Sequence, residues 1–125
     1  MDGLYMNPFH RYLSQEERLH TAVCQYPDLQ HRSLFYFHPH NESKRSPYER
    51  YLAKVMRLRP GLPDLMLPLP QGGHAGLGIG LKVKRGKLTE NQKQVGQSLR
   101  TLGWKVEVCY NFDQAQEVID AYLTP

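Results

Sequence analysis

Asp64 opens the apolar run DLMLPLP, and after fifteen intervening residues Gly80 and Lys82 follow within GLGIGLKVKRGKL, residues 76–88. If both runs are strands joined through the turn QGGHAG, they pair as a hairpin that brings Asp64 toward positions 80 and 82. Two residues along a strand span about 6.6 Å, so a side chain at 80 and the ammonium of Lys82 can reach one phosphate. The chemistry suggested by this spacing is chemistry on a phosphate group.

The glycines of this stretch invite a different reading, as a phosphate-cradling loop. A Rossmann fingerprint needs its glycines in the turn between a strand and a helix, so that the helix N-terminus faces the pyrophosphate. Here Gly76, Gly78 and Gly80 lie at the start of a strand and inside it, and the next helix cannot open before Thr89. The Walker lysine signature is absent as well. From position 77 the odd residues are Leu77, Ile79, Leu81 and Val83, and the even ones are Gly78, Gly80, Lys82 and Lys84. That alternation predicts a strand with one face buried and the other open.

The elements that must hold these residues are marked by capping chemistry. Ser14 with Glu17 forms a capping box, followed at helical spacing by Leu19, Ala22, Val23 and Tyr26, which predicts a helix over 14–26 that stops at Pro27. SLFYFH, 33–38, is aromatic and β-prone and predicts a buried strand. Ser46, Pro47 and Glu49 open a second helix with Tyr48, Leu52, Val55 and Met56 on one face, which must end before Pro60. Thr89 and Gln92 cap a third helix, with Val95, Leu99 and Leu102 as its buried stripe and Gly103 as its stop. Trp104, Val106 and Val108 mark a last strand, and Asn111 caps a last helix bearing Ala115, Val118, Ile119 and Tyr122. The expected architecture is α/β, one mixed sheet flanked by helices in the order α-β-α-β-β-α-β-α, with all 125 residues in a single domain.

Composition narrows the partners. The formal net charge is +4, and eleven of the sixteen Lys and Arg fall in residues 43–60 and 82–93. Such clustering suits a polyanion such as nucleic acid, although charge alone fits two solvated faces equally well. No apolar run approaches the ~18 residues of a membrane span. The N-terminal MDGLYMNPFHRYL carries no secretory pattern, and Cys24 and Cys109 are too few for a disulfide scaffold, so a reducing cytoplasm is expected. His38 and His40 share a strand-like spacing, but no further Cys or His cluster in the sequence completes a set of four ligands, so zinc is not expected. No serine or cysteine has the strand-turn-helix setting of a nucleophile elbow.

Three segments in register, RPGLPDL, GKLTENQK and LGWKVEVCYNFDQA, make the chain resemble the VRR-Nuc family from about Ser14 to Leu123. These virus-type replication-repair nucleases are a branch of the PD-(D/E)XK superfamily. The resemblance implies a restriction-endonuclease-like core and a Mg²⁺- or Mn²⁺-dependent DNA endonuclease. Carboxylates suit that metal chemistry, because both ions are hard and take oxygen ligands. The matching positions make Asp64 the chief metal ligand, with the Leu81 backbone carbonyl as another. Lys82 would orient the attacking water or neutralise developing charge, where residue type alone suggests only a solvated strand lysine. Glu16 matches the first-helix acid, facing the metal directly or through water, in competition with a plain preference of acids for helix N-termini. Gln92 matches a glutamine that steadies the lysine or a phosphate, besides its capping role.

Asn41 and Arg45 match polar positions near the substrate path. Together with Lys44, Arg59, Lys84, Arg85 and Lys87 they make the expected DNA-binding set, contacting phosphates and sensing shape rather than sequence. Stand-alone members resemble phage-type Holliday junction resolvases, which implies a homodimer acting on four-way or other branched DNA inside a phage-infected or bacterial cell.

One position breaks the pattern. The family motif places Glu or Asp where this chain has Gly80. Either Gly80 was introduced to silence the enzyme, which is the favoured reading, or this is a natural variant that is weak, inactive, or supplied with a migrated acid, for which Glu90 and Glu42 are the nearest candidates. The rival function is a DNA-binding module without catalysis.

Overall fold

The computed structural model describes residues 11–30, 33–39, 46–84 and 86–124. Its elements are α1 (Gln15–Gln30), α2 (Pro47–Val55), β1 (Leu65–Leu67), β2 (Leu77–Leu81), α3 (Glu90–Thr101), β3 (Lys105–Cys109) and α4 (Phe112–Leu123). β2 lies centrally, antiparallel to β1 and parallel to β3. The mixed sheet with flanking helices is the expected α/β class. Among the described residues no helix is long and apolar enough to cross a membrane.

The hairpin forms because its turn can reverse the chain tightly. Gly72 (φ 57°) and Gly73 (φ 82°) occupy the two central positions between the bridged pair Gln71 and His74. Positive φ at both positions gives a turn whose twist matches that of the flanking strands. β1 then stops at Pro68, which has no N–H to extend a ladder. Leu65 faces Ile79 and Leu67 faces Leu77, and all four are buried.

The odd residues of β2 join Leu65, Leu67 and Cys109 in a core that Val23 of α1 and Ala115, Ile119 and Tyr122 of α4 complete. Each such aliphatic side chain contributes about 1.5–3 kcal/mol on burial. Tyr26 Oη donates to Asp120 Oδ1 at 2.5 Å, tying α1 to α4. α3 covers the opposite face, where Gly96 lies beside Val106. The even face of β2 is therefore not open along its length, as the alternation suggested. Gly78 is buried there, and a Cβ on it would stand 2.9 Å from Pro63 Cγ.

All four helix starts carry the side-chain caps expected of them. Ser14, Ser46 and Thr89 each accept from the backbone N–H three residues on, at 3.1 Å, while Glu17, Glu49 and Gln92 reach back to the cap's own N–H. Asn111 Oδ1 accepts from Gln114 N–H at 2.8 Å. Each cap is worth about 1 kcal/mol.

Other expectations differ from the structure as well. α1 runs through Pro27 to Gln30, because Pro27 sacrifices one helical bond to the Val23 carbonyl but is itself fully buried, and packing outweighs the lost bond. The strand expected at 33–38 is reduced to one bridge, Phe37 with Met66. Leu34 and Tyr36 pack on the core, but Phe35 is 69% exposed and Phe37 is exposed too, since an all-aromatic run meets a core on only one side. α2 buries only Ala53 within its span, leaving Tyr48 68% and Tyr51 60% exposed, and Val55 and Met56 are exposed as well. Leu102 is exposed rather than part of the α3 stripe, because it caps the helix where Gly103 turns the chain away.

The steric contrast between two glycines of β2 is measurable by urea denaturation. Gly78→Ala forces the Pro63 ring to shift and should cost about 1–3 kcal/mol. Gly80→Ala, whose Cβ meets nothing nearer than Glu107 O at 4.0 Å, should leave stability unchanged or slightly raised.

Candidate functional site

Asp64 stands one residue before β1, at the end of a segment that rests on the start of α3. Gly61 (φ 86°) makes that approach possible, since a Cβ there would lie 2.6 Å from the Asn91 carbonyl carbon. Asp64 N–H donates to Ile79 O at 2.9 Å, and Leu81 N–H donates to Asp64 Oδ2 at 2.7 Å. The carboxylate is thereby held across the end of the hairpin. Its other oxygen, Oδ1, has no hydrogen-bond partner among the described residues.

Continuing the β1–β2 register one step sets Asp64 opposite Gly80. Both line a cleft of ≈ 240 Å³ under α3, together with Gln92, Lys93 and Arg100. Neither backbone conformation nor packing demands glycine at 80, because its φ is not positive and the space beyond its Cα is open. Gln92 Oε1 accepts Thr89 N–H at 2.8 Å, so its capping role uses the oxygen and leaves the amide nitrogen for another partner.

The remaining expected residues are spread more widely. Lys82 follows β2 directly, with its N–H donating to Cys109 O at 3.0 Å, and its side chain passes beneath Gly86 rather than lining the cleft. Glu16 is exposed in the first turn of α1 and does not line the cleft either. Lys84 and Lys87 are exposed and border an open hollow with Lys93 and Tyr110. Lys84 holds φ 56°, a left-handed backbone that is uncommon for a non-glycine residue. Arg59 is exposed beyond α2, whereas Asn41, Lys44, Arg45 and Arg85 lie outside the described residues, as do His40 and Glu42.

On the α1 side of Asp64 the structure assembles groups that spacing alone did not connect. The Asp64 carbonyl accepts from His38 Nδ1–H at 2.7 Å. His38 in turn neighbours His20, with ring centroids 4.9 Å apart, and Cys24, whose Sγ is 3.7 Å from Nδ1. Burial, with His20 adding to it, lowers the His38 pKa against the opposing pull of the Asp64 carbonyl, so the ring is neutral near pH 7. Burial, then Asp28 and Asp64, push the Cys24 thiol up to about 11. Tyr36 Oη bonds both the Cys24 carbonyl, at 3.1 Å, and the Asp28 carboxylate, holding the 33–38 segment on α1. His20 and Cys24 are four residues apart on a helix, but His38 reaches them only through tertiary packing, so the local sequence carried no signal for the group.

A carboxylate oxygen without a partner among the described residues is a hard donor of the kind that Mg²⁺ and Mn²⁺ prefer. Asp64 fits such a cation in type, and Gly80 opposite it adds no side-chain ligand.

The VRR-NUC domain profile matches residues 5–113. Among solved structures, the chain is similar to a "VRR_NUC domain protein" at 24% identity, with TM-score 0.71 and 89% of each chain covered. It is also similar to a "VRR_NUC domain" structure at 20% identity, with TM-score 0.57, over 88% of this chain and 99% of the other. At these identities the two structures speak for the fold alone. No curated protein matches the chain. The profile match extends across all three strands and into the start of α4, and on that ground the protein belongs to the VRR-NUC domain family, the virus-type replication-repair nucleases of the PD-(D/E)XK superfamily.

Proposed function

We propose that this chain is built as a divalent-metal-dependent, structure-specific DNA endonuclease acting on Holliday junctions or other branched DNA, and that Gly80 leaves it weak or silent. The observation that carries the reading is the Asp64 carboxylate, pinned by Leu81 N–H, facing a glycine whose side-chain space is open. A carboxylate at 80 would enter the cleft that Asp64 already lines. Bound Mg²⁺ or Mn²⁺ would polarise the phosphate and make the attacking water more acidic.

The chain's own residues do the rest. Asp64 Oδ1 and the Leu81 carbonyl would hold the cation, while Leu81 N–H keeps the carboxylate from rotating. Lys82, the residue after β2, would have to swing from beneath Gly86 to bring its positive charge to the phosphate oxygens. The Gln92 amide, still able to donate, steadies the phosphate or the lysine, and Glu16 contributes through water if α1 approaches the substrate. Lys84, Lys87 and Arg59 track phosphates without specifying sequence, which suits recognition of DNA shape. A homodimer would present two such sites to the two symmetry-related phosphates of a four-way junction. The second reading is a branched-DNA-binding protein without catalysis, and the missing carboxylate at 80 favours it.

Cleavage of a labelled four-way junction in Mn²⁺ separates the two. Gly80→Glu should raise the rate by orders of magnitude over the chain as it stands, and equal activity in both forms would refute this account of the site. Asp64→Asn in the Gly80→Glu background should return cleavage to background while junction binding in a gel-shift assay persists. For binding, Lys84→Ala and Lys87→Ala should each weaken affinity for all DNA sequences alike and reduce the slope of log affinity against log salt by about 1.

A further inference from the structure

We propose that His20, Cys24 and His38 form a second metal site, for a borderline-soft divalent cation of the Zn²⁺ class, on the α1 side of Asp64. One ligand atom from each of the three lies within 4.8 Å of the other two. His20 and Cys24 are related by i, i+4 on α1 and so project from one helix face. His38 comes to them from the extended segment that bridges to β1.

His38 is prepared as a ligand by its hydrogen bonding. A carbonyl can only accept, so the 2.7 Å contact with Asp64 O places the ring proton on Nδ1 and leaves a lone pair on Nε2. That Nε2 is buried and has no hydrogen-bond partner among the described residues. A buried acceptor without a partner costs about 1–3 kcal/mol, and a cation bound there would satisfy it. An imidazole that gives its other N–H to a backbone carbonyl is also the arrangement that orients metal-bound histidines.

The donor chemistry selects the metal. Two imidazoles and a thiolate suit Zn²⁺ and its neighbours, whereas the oxygen donors around Asp64 suit Mg²⁺ or Mn²⁺. The two sites would therefore not compete for one ion, and this inference does not depend on the nuclease reading. Ligands around a tetrahedral zinc sit roughly 3.5 Å apart, and Cys24 Sγ lies 3.7 Å from Nδ1, the nitrogen committed to Asp64, so Cys24 and His20 must turn toward Nε2 to bind one ion. Rotations of His20 and Cys24, both half-buried, can supply that movement and leave a path for entry. Three protein ligands leave a fourth position for water. Binding deprotonates the Cys24 thiol and releases the proton to solvent. The site would fasten the 33–38 segment to α1 and, through His38, hold the Asp64 backbone whose side chain faces the cleft.

Cobalt(II) tests this, because a thiolate ligand produces a charge-transfer band that oxygen and nitrogen ligands do not. The full chain, stripped with chelator, should bind one Co²⁺ with that band and tetrahedral visible bands, Zn²⁺ should displace it, and Zn²⁺ should raise the melting temperature. Cys24→Ser should lose the band. If Cys24→Ser does not fold, His20→Ala, at a half-buried helix position that alanine suits, should weaken cobalt binding at least tenfold. Asp64→Asn, which keeps the backbone carbonyl, should leave the spectrum unchanged. Absence of the band in the unaltered chain would overturn the proposal. So would persistence of the band in Cys24→Ser, an unaltered titration in His20→Ala, or loss of the band in Asp64→Asn.

Discussion

The register between β1 and β2 is the constraint on which the site depends. With Leu65 against Ile79 and Leu67 against Leu77, the apolar residues of both strands point into one core, and Asp64 falls opposite Gly80. A slip of one residue would turn Asp64 toward the core and bring the apolar set out of it. The Gly72–Gly73 turn reverses the chain within the connection 68–76, and burial of the four leucine and isoleucine side chains makes any other register costly. Leu81 N–H to Asp64 Oδ2 is the last consequence of that alignment, the point where a strand ladder hands over to a side chain.

The glycines at 76, 78 and 80 owe their places to different causes. Gly76 lies against the Trp104 ring and Gly78 against Pro63, so each makes room for a neighbour that packs on the sheet. Gly80 makes room for nothing, since only the Glu107 carbonyl comes within 4.0 Å of where its Cβ would be. A glycine in a strand interior gives up side-chain packing and costs chain entropy, and at 80 no close approach compensates for this. The exception stands opposite Asp64, in the cleft that both residues line.

Asp64 also links two chemically distinct neighbourhoods. Its carboxylate faces the cleft under α3, while its carbonyl faces His38, His20 and Cys24 on the α1 side. Backbone and side chain of one residue are thus restrained from opposite sides, which limits its freedom more than either contact alone. Tyr36 braces the second neighbourhood by bonding the Cys24 carbonyl, with its own hydroxyl pushed up to about 12 by burial and by Asp28. It therefore remains a neutral donor.

Much of this was legible in the sequence, and the reason is that the determining physics was local. Capping boxes lie within four residues, the hairpin within a short turn, and the alternation of β2 within a single strand, so the helix starts, the β1–β2 hairpin and the odd-residue core follow from spacing alone. The family resemblance grouped Asp64, Gly80, Lys82, Gln92 and Glu16, of which Asp64, Gly80 and Gln92 line one cleft while Lys82 and Glu16 do not. What only the tertiary structure decided depends on which surface each element meets. Pro27 stays helical because its ring is buried, 33–38 remains a single bridge because one face of its aromatic run has no core to pack on, and α2 leaves its apolar face exposed. The meeting of His20 and Cys24 with His38 belongs to the same class, since the contacts that place an extended segment against a helix are set by packing and carry no periodic signal in the chain.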